Sequence, residues 1–305
     1  MISSALKYIF DKNYRFEFNA LSGFYNHLED KEYLEKLYAA KMHKPLNLSN
    51  PETFNEKLNW LKLYDRKKIY TSMVDKYEAK NYVSKLIGDK YVVPLIGVWN
   101  SFDEIDIDCL PNQFVLKTTH GCGGMCICKD KNTFDFSHAK KVLNRALRKN
   151  YFLTVREWPY KNVVPRIIAE QYLEDKKQEV LVVYKVFNFN GEPKIIQVIQ
   201  GDKTDHETID YFDNEWNLLD LRQNFQNSKT HLEKPALLGE MLSLSRKCSL
   251  GHAFLRTDWY LVDGKIYFSE FTFYSDAGME AFHPDEWDMI LGKWIKLPEA
   301  RGGDA

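Results

Sequence analysis

Two acidic residues sit on the arms of one hairpin, Asp258 in "RTDWYLV" and Glu270 in "KIYFSEFTF". Both offer hard oxygen donors, and two carboxylates together with phosphate oxygens make a Mg²⁺ site. Their spacing is not ideal for it. With Asp263-Gly264 as the turn, Val262 pairs with Lys265, and an unbroken ladder then sets position 258 against 269. One bulge residue would bring Asp258 and Glu270 level on one face. The plainer alternative is that each carboxylate faces water, but the apolar surroundings of Glu270 favour a buried, functional group.

A second stretch, "QFVLKTTHGCGGMCICKD", carries Gly121, Gly123 and Gly124 between two strand-like runs. It lacks the G-x-x-x-x-G-K-[ST] string of a P-loop, and no third glycine completes G-x-G-x-x-G. The glycines lead into a strand, "MCIC", so the segment is a hairpin whose tip can fold over a triphosphate. Lys117 on the first arm would add a charge to phosphate, and His120 beside the glycines would touch phosphate or simply end the strand. A glycine-rich hairpin without ligand fits this loop equally well. Lys185, inside the apolar run "VVYKVFNF", must snorkel or find an anion. "EQYLE", Glu170 to Glu174, closes a strand with carboxylates and free backbone at a hinge.

These groups need a frame. The first ninety residues read as helices: "KEYLEKLYAAKMH", then a helix with Asn50 as N-cap and Pro51 as first residue, then a continuous "TSMVDKYEAKNYVSKLIG" ending at Gly88. Strands dominate afterwards. "YVVPLIGVW", "FVLKT", "MCICKD" and "RIIAEQYL" precede two hairpins, turned at Asn190-Gly191 and Asp263-Gly264. Helices follow Ser137 as a cap, in "EKPALLGEMLSLSRKC", and in "PDEWDMILGKWIKL", before a tail "PEARGGDA". The class is α+β on antiparallel hairpins. The expected divisions are a helical region 1–90, a small lobe 91–169 with the glycine loop, and a large lobe 170–300 with the acidic hairpin.

With 42 basic and 43 acidic side chains, no global field draws the protein to nucleic acid or anionic lipid. There is no run of eighteen apolar residues to cross a membrane, and the opening "MISSALKYIFDKNYRF" is too charged for a secretory signal. Five cysteines, an odd number, point to a reducing cytoplasm. Cys122, Cys126 and Cys128 lack zinc-site spacing and read as small strand residues.

In this order, four blocks resemble the ATP-grasp superfamily: "DKYEAKNYVSKLIGDKYVVP", "PNQFVLKTTHGCGGMCICKD", "IIAEQYLE" and "RTDWYLVDGKIYFSEFT". "FNEKLNWLKLYDR", "REWPYKN", "DNEWNLLD" and "GKIYFSEFTFY" narrow the resemblance to its TupA-like branch, associated with teichuronopeptide and other capsule or O-antigen polysaccharides. The resemblance implies an ATP-grasp fold and Mg-ATP as ligand. It implies that Lys117 and Lys185 hold phosphates under a cover of Gly121, Gly123 and Gly124. Glu170, Gln171 and Leu173 would contact adenine, and Glu174 the ribose. Asp258 and Glu270 would ligate Mg²⁺, and Arg256 would steady the transferring phosphoryl group. Where the superfamily usually has Asn as a further ligand, this chain offers the hydroxyl of Thr272.

The implied reaction is carboxylate–amine ligation through an acyl phosphate, joining an amine or amino acid to a uronic-acid sugar. Its partners would be a sugar or polysaccharide acceptor and a small amine, met at the inner face of the membrane where lipid-linked glycans reside. Arg156, Trp158, Tyr160 and Lys161 in "VREWPYKN" are candidates to hold the acceptor, since Arg clamps carboxylates and aromatic faces suit sugar rings. A loop anchored by a buried Trp fits that string as well. Asp276 is a weaker candidate for the amine side. Two other classes share the pathway: a glycosyltransferase, whose D-x-D signature occurs as Asp106-Ile107-Asp108 in an acidic connector, and a sugar kinase.

Overall fold

The computed structural model describes residues 4–121, 123–175 and 180–299, so Cys122 and the expected tail from residue 300 lie outside it. Six helices open the chain: α1 (Ser4–Phe10), α2 (Lys12–Leu21), α3 (Asp30–Met42), α4 (Phe54–Tyr64), α5 (Ile69–Val74) and α6 (Glu78–Ile87). Helix α4 begins after Thr53, not at Pro51. The Thr53 hydroxyl accepts from the Glu56 amide at 3.3 Å while the Glu56 carboxylate accepts from the Thr53 amide at 3.1 Å, a reciprocal cap that Asn50 cannot match. The expected single helix from Thr71 is parted at Asp75. Its extended backbone and its carboxylate, which accepts from the Tyr77 amide at 2.9 Å, offer the chain a turn in place of another helical bond.

Four antiparallel strands form the small sheet: β1 (Leu95–Trp99), β2 (Phe114–Thr118), β3 (Met125–Cys128) and β4 (Ile167–Gln171), in the order β1-β4-β2-β3. Helix α7 (Phe136–Leu147) covers one face, burying Ala139 and Leu143 against Phe114, Leu116, Cys128, Ile167 and Ala169. Asp135, whose carboxylate accepts from the His138 amide at 2.8 Å, caps this helix; Ser137 is already inside it. The short α8 (Phe152–Val155) follows. Because β4 runs through Gln171, the hinge lies after that residue, and the expected division at 169/170 falls within a strand.

The large sheet has five antiparallel strands, β5 (Val183–Phe189), β6 (Glu192–Gln200), β7 (Thr208–Phe212), β8 (Phe254–Val262) and β9 (Lys265–Thr272), in the order β7-β6-β5-β8-β9. Strand β7 has no counterpart among the sequence expectations. Both hairpins turn where expected, with left-handed backbone at Asn190, Gly191, Asp263 and Gly264. Helices α9 (Leu238–Ser249) and α10 (Glu286–Trp294) complete the lobe. The helical N-terminal region is not separate from it: Phe54 of α4 meets Phe254 and Phe282 edge-on at 5.0 and 5.8 Å. Among the described residues no helix is long and apolar enough to cross a membrane.

Candidate active site between two sheets

The large sheet carries one polar row across three strands. Lys185 on β5 pairs with Asp258 on β8, and Asp258 pairs with Glu270 on β9. The register of β8 and β9 shifts between Asp258 and Trp259, and that bulge sets the two acids level. Directly paired residues point to the same face, so an ammonium and two carboxylates share one surface.

Asp258 is buried and held in a fork: Arg256 Nε donates to Oδ1 at 2.8 Å and Nη2 to Oδ2 at 2.9 Å. Arg256 also donates to Thr272 Oγ1 at 3.0 Å and Ser275 Oγ at 3.1 Å. Four of its five N–H groups are thus used, leaving one for a ligand. Thr272 therefore sits beside the acids as an acceptor for Arg256, where sequence expectation made it a metal ligand. Burial pushes the Asp258 carboxyl up against the pull of Arg256 and Lys185. At Glu270, burial alone would raise the carboxyl, but Lys76, Arg256, Lys185 and Lys117 outweigh it and hold it at about 2. Glu270 stays ionised and 37% exposed, 3.5 Å from Lys76. Among the described residues no cluster of three or more His, Cys, Asp or Glu is gathered for a metal. A pair of carboxylates fits Mg²⁺, which takes one or two from protein and the rest from phosphate and water.

On the small sheet Glu170 is the anchor. Its carboxylate meets Lys80 at 2.7 Å and Lys117 at 2.6 Å. Burial would raise it, yet the two lysines bring it down to about 2. Burial would also lower Lys117, but Glu170 pushes it above its usual range, while in Lys80 burial prevails and lowers it. The Glu170 side chain is thereby taken by lysines, so the adenine contact expected of it falls to its neighbours. Gln171, Leu173 and Glu174 line a cavity of about 350 Å³ between the sheets, with Val115, Lys117 and Tyr260. Its size suits a nucleoside.

The glycines differ in kind. Gly123 has a left-handed backbone with open space around it, as a mobile cover requires. Gly124 is a packing residue: a methyl there would run into Thr118 Oγ1 and lie 2.7 Å from Ala146 Cβ. Gly121 accepts from Lys76 Nζ at 3.0 Å through its carbonyl. Lys76 thus bridges the glycine loop and Glu270. His120 is buried with Nε2 3.2 Å from the Ala146 carbonyl, so its ring packs on α7 rather than reaching for phosphate.

A family model described as TupA-like ATPgrasp matches residues 56–296, most of the chain. The chain belongs to the TupA-like ATP-grasp family. It is thereby an ATP-binding enzyme of the ADP-forming ligase type. No curated protein matches it. Among solved structures it is similar to a D-alanine–D-alanine ligase from Helicobacter pylori, with 12% identity and TM-score 0.41 over 79% of this chain and 69% of that one. A RimK domain ATP-grasp protein from Sphaerobacter thermophilus gives 12% identity and TM-score 0.41 over 76% and 70%. An N5-carboxyaminoimidazole synthetase from Staphylococcus aureus gives 14% identity and TM-score 0.39 over 74% of this chain and 53%, about half, of its own. At these values the similarities decide neither activity nor substrate.

In this TupA-like ATP-grasp chain the "VREWPYKN" segment is a brace. Arg156 is 1% exposed, ion-pairs with Asp30 at 3.3 Å, donates to the carbonyls of Asn26 and Leu28, and lies 4.1 Å over the Tyr33 ring. It fastens α3 to the body and cannot clamp an acceptor. Trp158 packs against the large core, Tyr160 stands edge-on to Tyr151 at 4.9 Å, and Lys161 is exposed over Phe152 at 5.3 Å. Glu157 turns inward instead, where Arg256, Asp276 and Glu270 all act on it, and burial pushes it up. Asp106 spends its carboxylate on the Asp108 amide and the Cys109 thiol, a local turn rather than a nucleotide-sugar site. The sequence reading did not single out Lys76, Lys80 or Glu157. Lys76 alone had a signal, the Asp-Lys pair opening its block.

Proposed function

We propose that this chain is an ATP-dependent carboxylate–amine ligase that joins an amine or amino acid to a uronic-acid residue of a capsule or O-antigen polysaccharide. The observation that carries the chemistry is the row Lys185–Asp258–Glu270, braced by Arg256 and facing a nucleoside-sized cavity. Asp258 and Glu270 would hold Mg²⁺, which supplies charge neutralisation on the triphosphate when bound. Lys185, Lys117 and Lys76 surround the same space as fixed cations, and the free N–H of Arg256 points the same charge at a transferring phosphoryl group. Gly123 gives the cover its freedom to close and exclude water.

In the reaction, the γ-phosphoryl group passes to the acceptor carboxylate, giving ADP and an acyl phosphate. The amine nitrogen then bonds to the carbonyl carbon, the carbon–oxygen bond to phosphate breaks, phosphate leaves with that electron pair, and the amine loses a proton. The test is release of ADP and inorganic phosphate from uronate and amine pairs. Free phosphate that appears only when both are supplied supports the ligase. Phosphate retained on the sugar makes the enzyme a kinase, and transfer from a nucleotide sugar without ATP makes it a glycosyltransferase.

A further inference from the structure

The polar row continues past Lys185. Gln197 on β6 pairs with Lys185, and Tyr211 on β7 pairs with Gln197, so one level of one face runs from Tyr211 to Glu270 across all five strands. Gln197 is 5% exposed. Its amide nitrogen donates to the Tyr211 hydroxyl at 2.8 Å, and that hydroxyl donates to Gln223 Oε1 at 2.7 Å. Gln197 Oε1 is buried and accepts from nothing. A buried acceptor without a donor is costly, and this one belongs to the wall of a cavity of about 120 Å³.

Acceptors dominate that wall. Asp276 and Glu280 line it beside Gln197, with Asp202 and Glu207 further round and Lys185 as its cation. Asp202 and Glu207 are spent on Lys203, through its ammonium at 3.4 Å and its amide at 2.8 Å. Asp276 and Glu280 are close enough to raise the Glu280 carboxyl, after burial and against a bond from Asn224. Asp276 also connects to the reacting side: it accepts from Ser275 Oγ at 2.8 Å, which accepts from Arg256 at 3.1 Å.

The loop that presents these acids is held in strain. Asp276 and Ala277 both take left-handed backbone at φ 51° and 56° without being glycine. Three buried polar residues of α4 fix it there. Lys62 donates to the Ala277 carbonyl at 2.7 Å, Asn59 to Gly278 at 2.7 Å, and Asn55 to Glu280 at 2.9 Å. A whole helix face of polar side chains is given over to one loop.

We propose that this cavity is the amine subsite, holding a small primary ammonium group against Asp276, Glu280 and Gln197 Oε1. Three acceptors match the three donors of an ammonium. One carboxylate then takes a proton, and the neutral nitrogen, beside Lys185 and Arg256, is released to bond to the acyl carbon as phosphate departs. The assignment rests on the ligase reading and adds the chemical class of its second substrate.

The experiment uses the full chain, titrated calorimetrically with ethanolamine, glycinamide and the neutral analogue ethylene glycol, with and without a non-hydrolysable Mg·ATP analogue. Ethanolamine and glycinamide are expected to bind, and ethylene glycol is not. Asp276→Asn, at an exposed position, and Glu280→Gln should each weaken ethanolamine by about tenfold or more while leaving analogue affinity unchanged. Gln197→Leu should weaken it without adding charge. Amine affinity unchanged in all three variants, equal binding of ethylene glycol, or no amine binding overturns the subsite. Loss of the ligase reading would show separately, as failure of the wild type to bind the nucleotide analogue.

Discussion

The two sheets meet the same problem, a carboxylate placed away from water, with opposite answers. On the small sheet Glu170 is enclosed by two lysines at 2.7 and 2.6 Å, a closed charge set. On the large sheet Asp258 is closed by Arg256, but Glu270 beside it keeps only a 3.5 Å contact to Lys76 and remains 37% exposed. The difference separates a brace from a site. Where cations fully satisfy a buried acid, it shapes the wall of the cavity; where they hold it ionised and leave it accessible, it can take a metal.

The largest effect that would break this contrast is Glu170→Gln. It leaves Lys80 and Lys117 facing each other in a buried setting, so urea unfolding should show a loss of about 3–5 kcal/mol. A loss below about 1 kcal/mol would mean that the small-sheet set is as open as the other. Acid sharpens the same point. The Glu170 carboxyl lies at about 2 against an ordinary 4.5, so its stabilisation is present above pH 4.5 and is lost as pH falls toward 2. Glu170→Gln should flatten the acid side of a stability–pH curve over that window. A smaller effect distinguishes the glycines. Gly124→Ala should cost about 1–3 kcal/mol by overpacking against Thr118 and Ala146. Gly123→Ala should cost about 1 kcal/mol by backbone strain and chiefly change nucleotide affinity. Equal losses in a thermal melt, with nucleotide affinity untouched, would remove the distinction.

Much of the large-sheet site was legible, because strand alternation and two turn dipeptides fix register locally. Asp263-Gly264 set the pairing of Val262 with Lys265, and one bulge residue was the step needed to bring Asp258 level with Glu270. The cap of α4 was legible too: Thr53 and Glu56 stand at capping-box spacing, but Pro51 two residues earlier draws attention to the wrong start. The ion pairs were not. Lys80 meets Glu170, and Lys76 meets Glu270, across separations that no local period encodes. Arg156 shows the same limit in reverse. Beside aromatic residues it looks ready for a sugar acid, and only the packing of α3 reveals that Asp30 and main-chain carbonyls have claimed it.

The most direct test of the open site is thermal stability with and without Mg·ATP, on the wild type and on Glu270→Gln. At a hundredfold excess over its dissociation constant, nucleotide should stabilise the wild type by about 2.7 kcal/mol in a Mg²⁺-dependent manner. The Glu270→Gln protein should melt normally alone and lose the Mg²⁺-dependent part of that gain. A wild-type shift that survives the substitution, or that needs no Mg²⁺, would contradict the account.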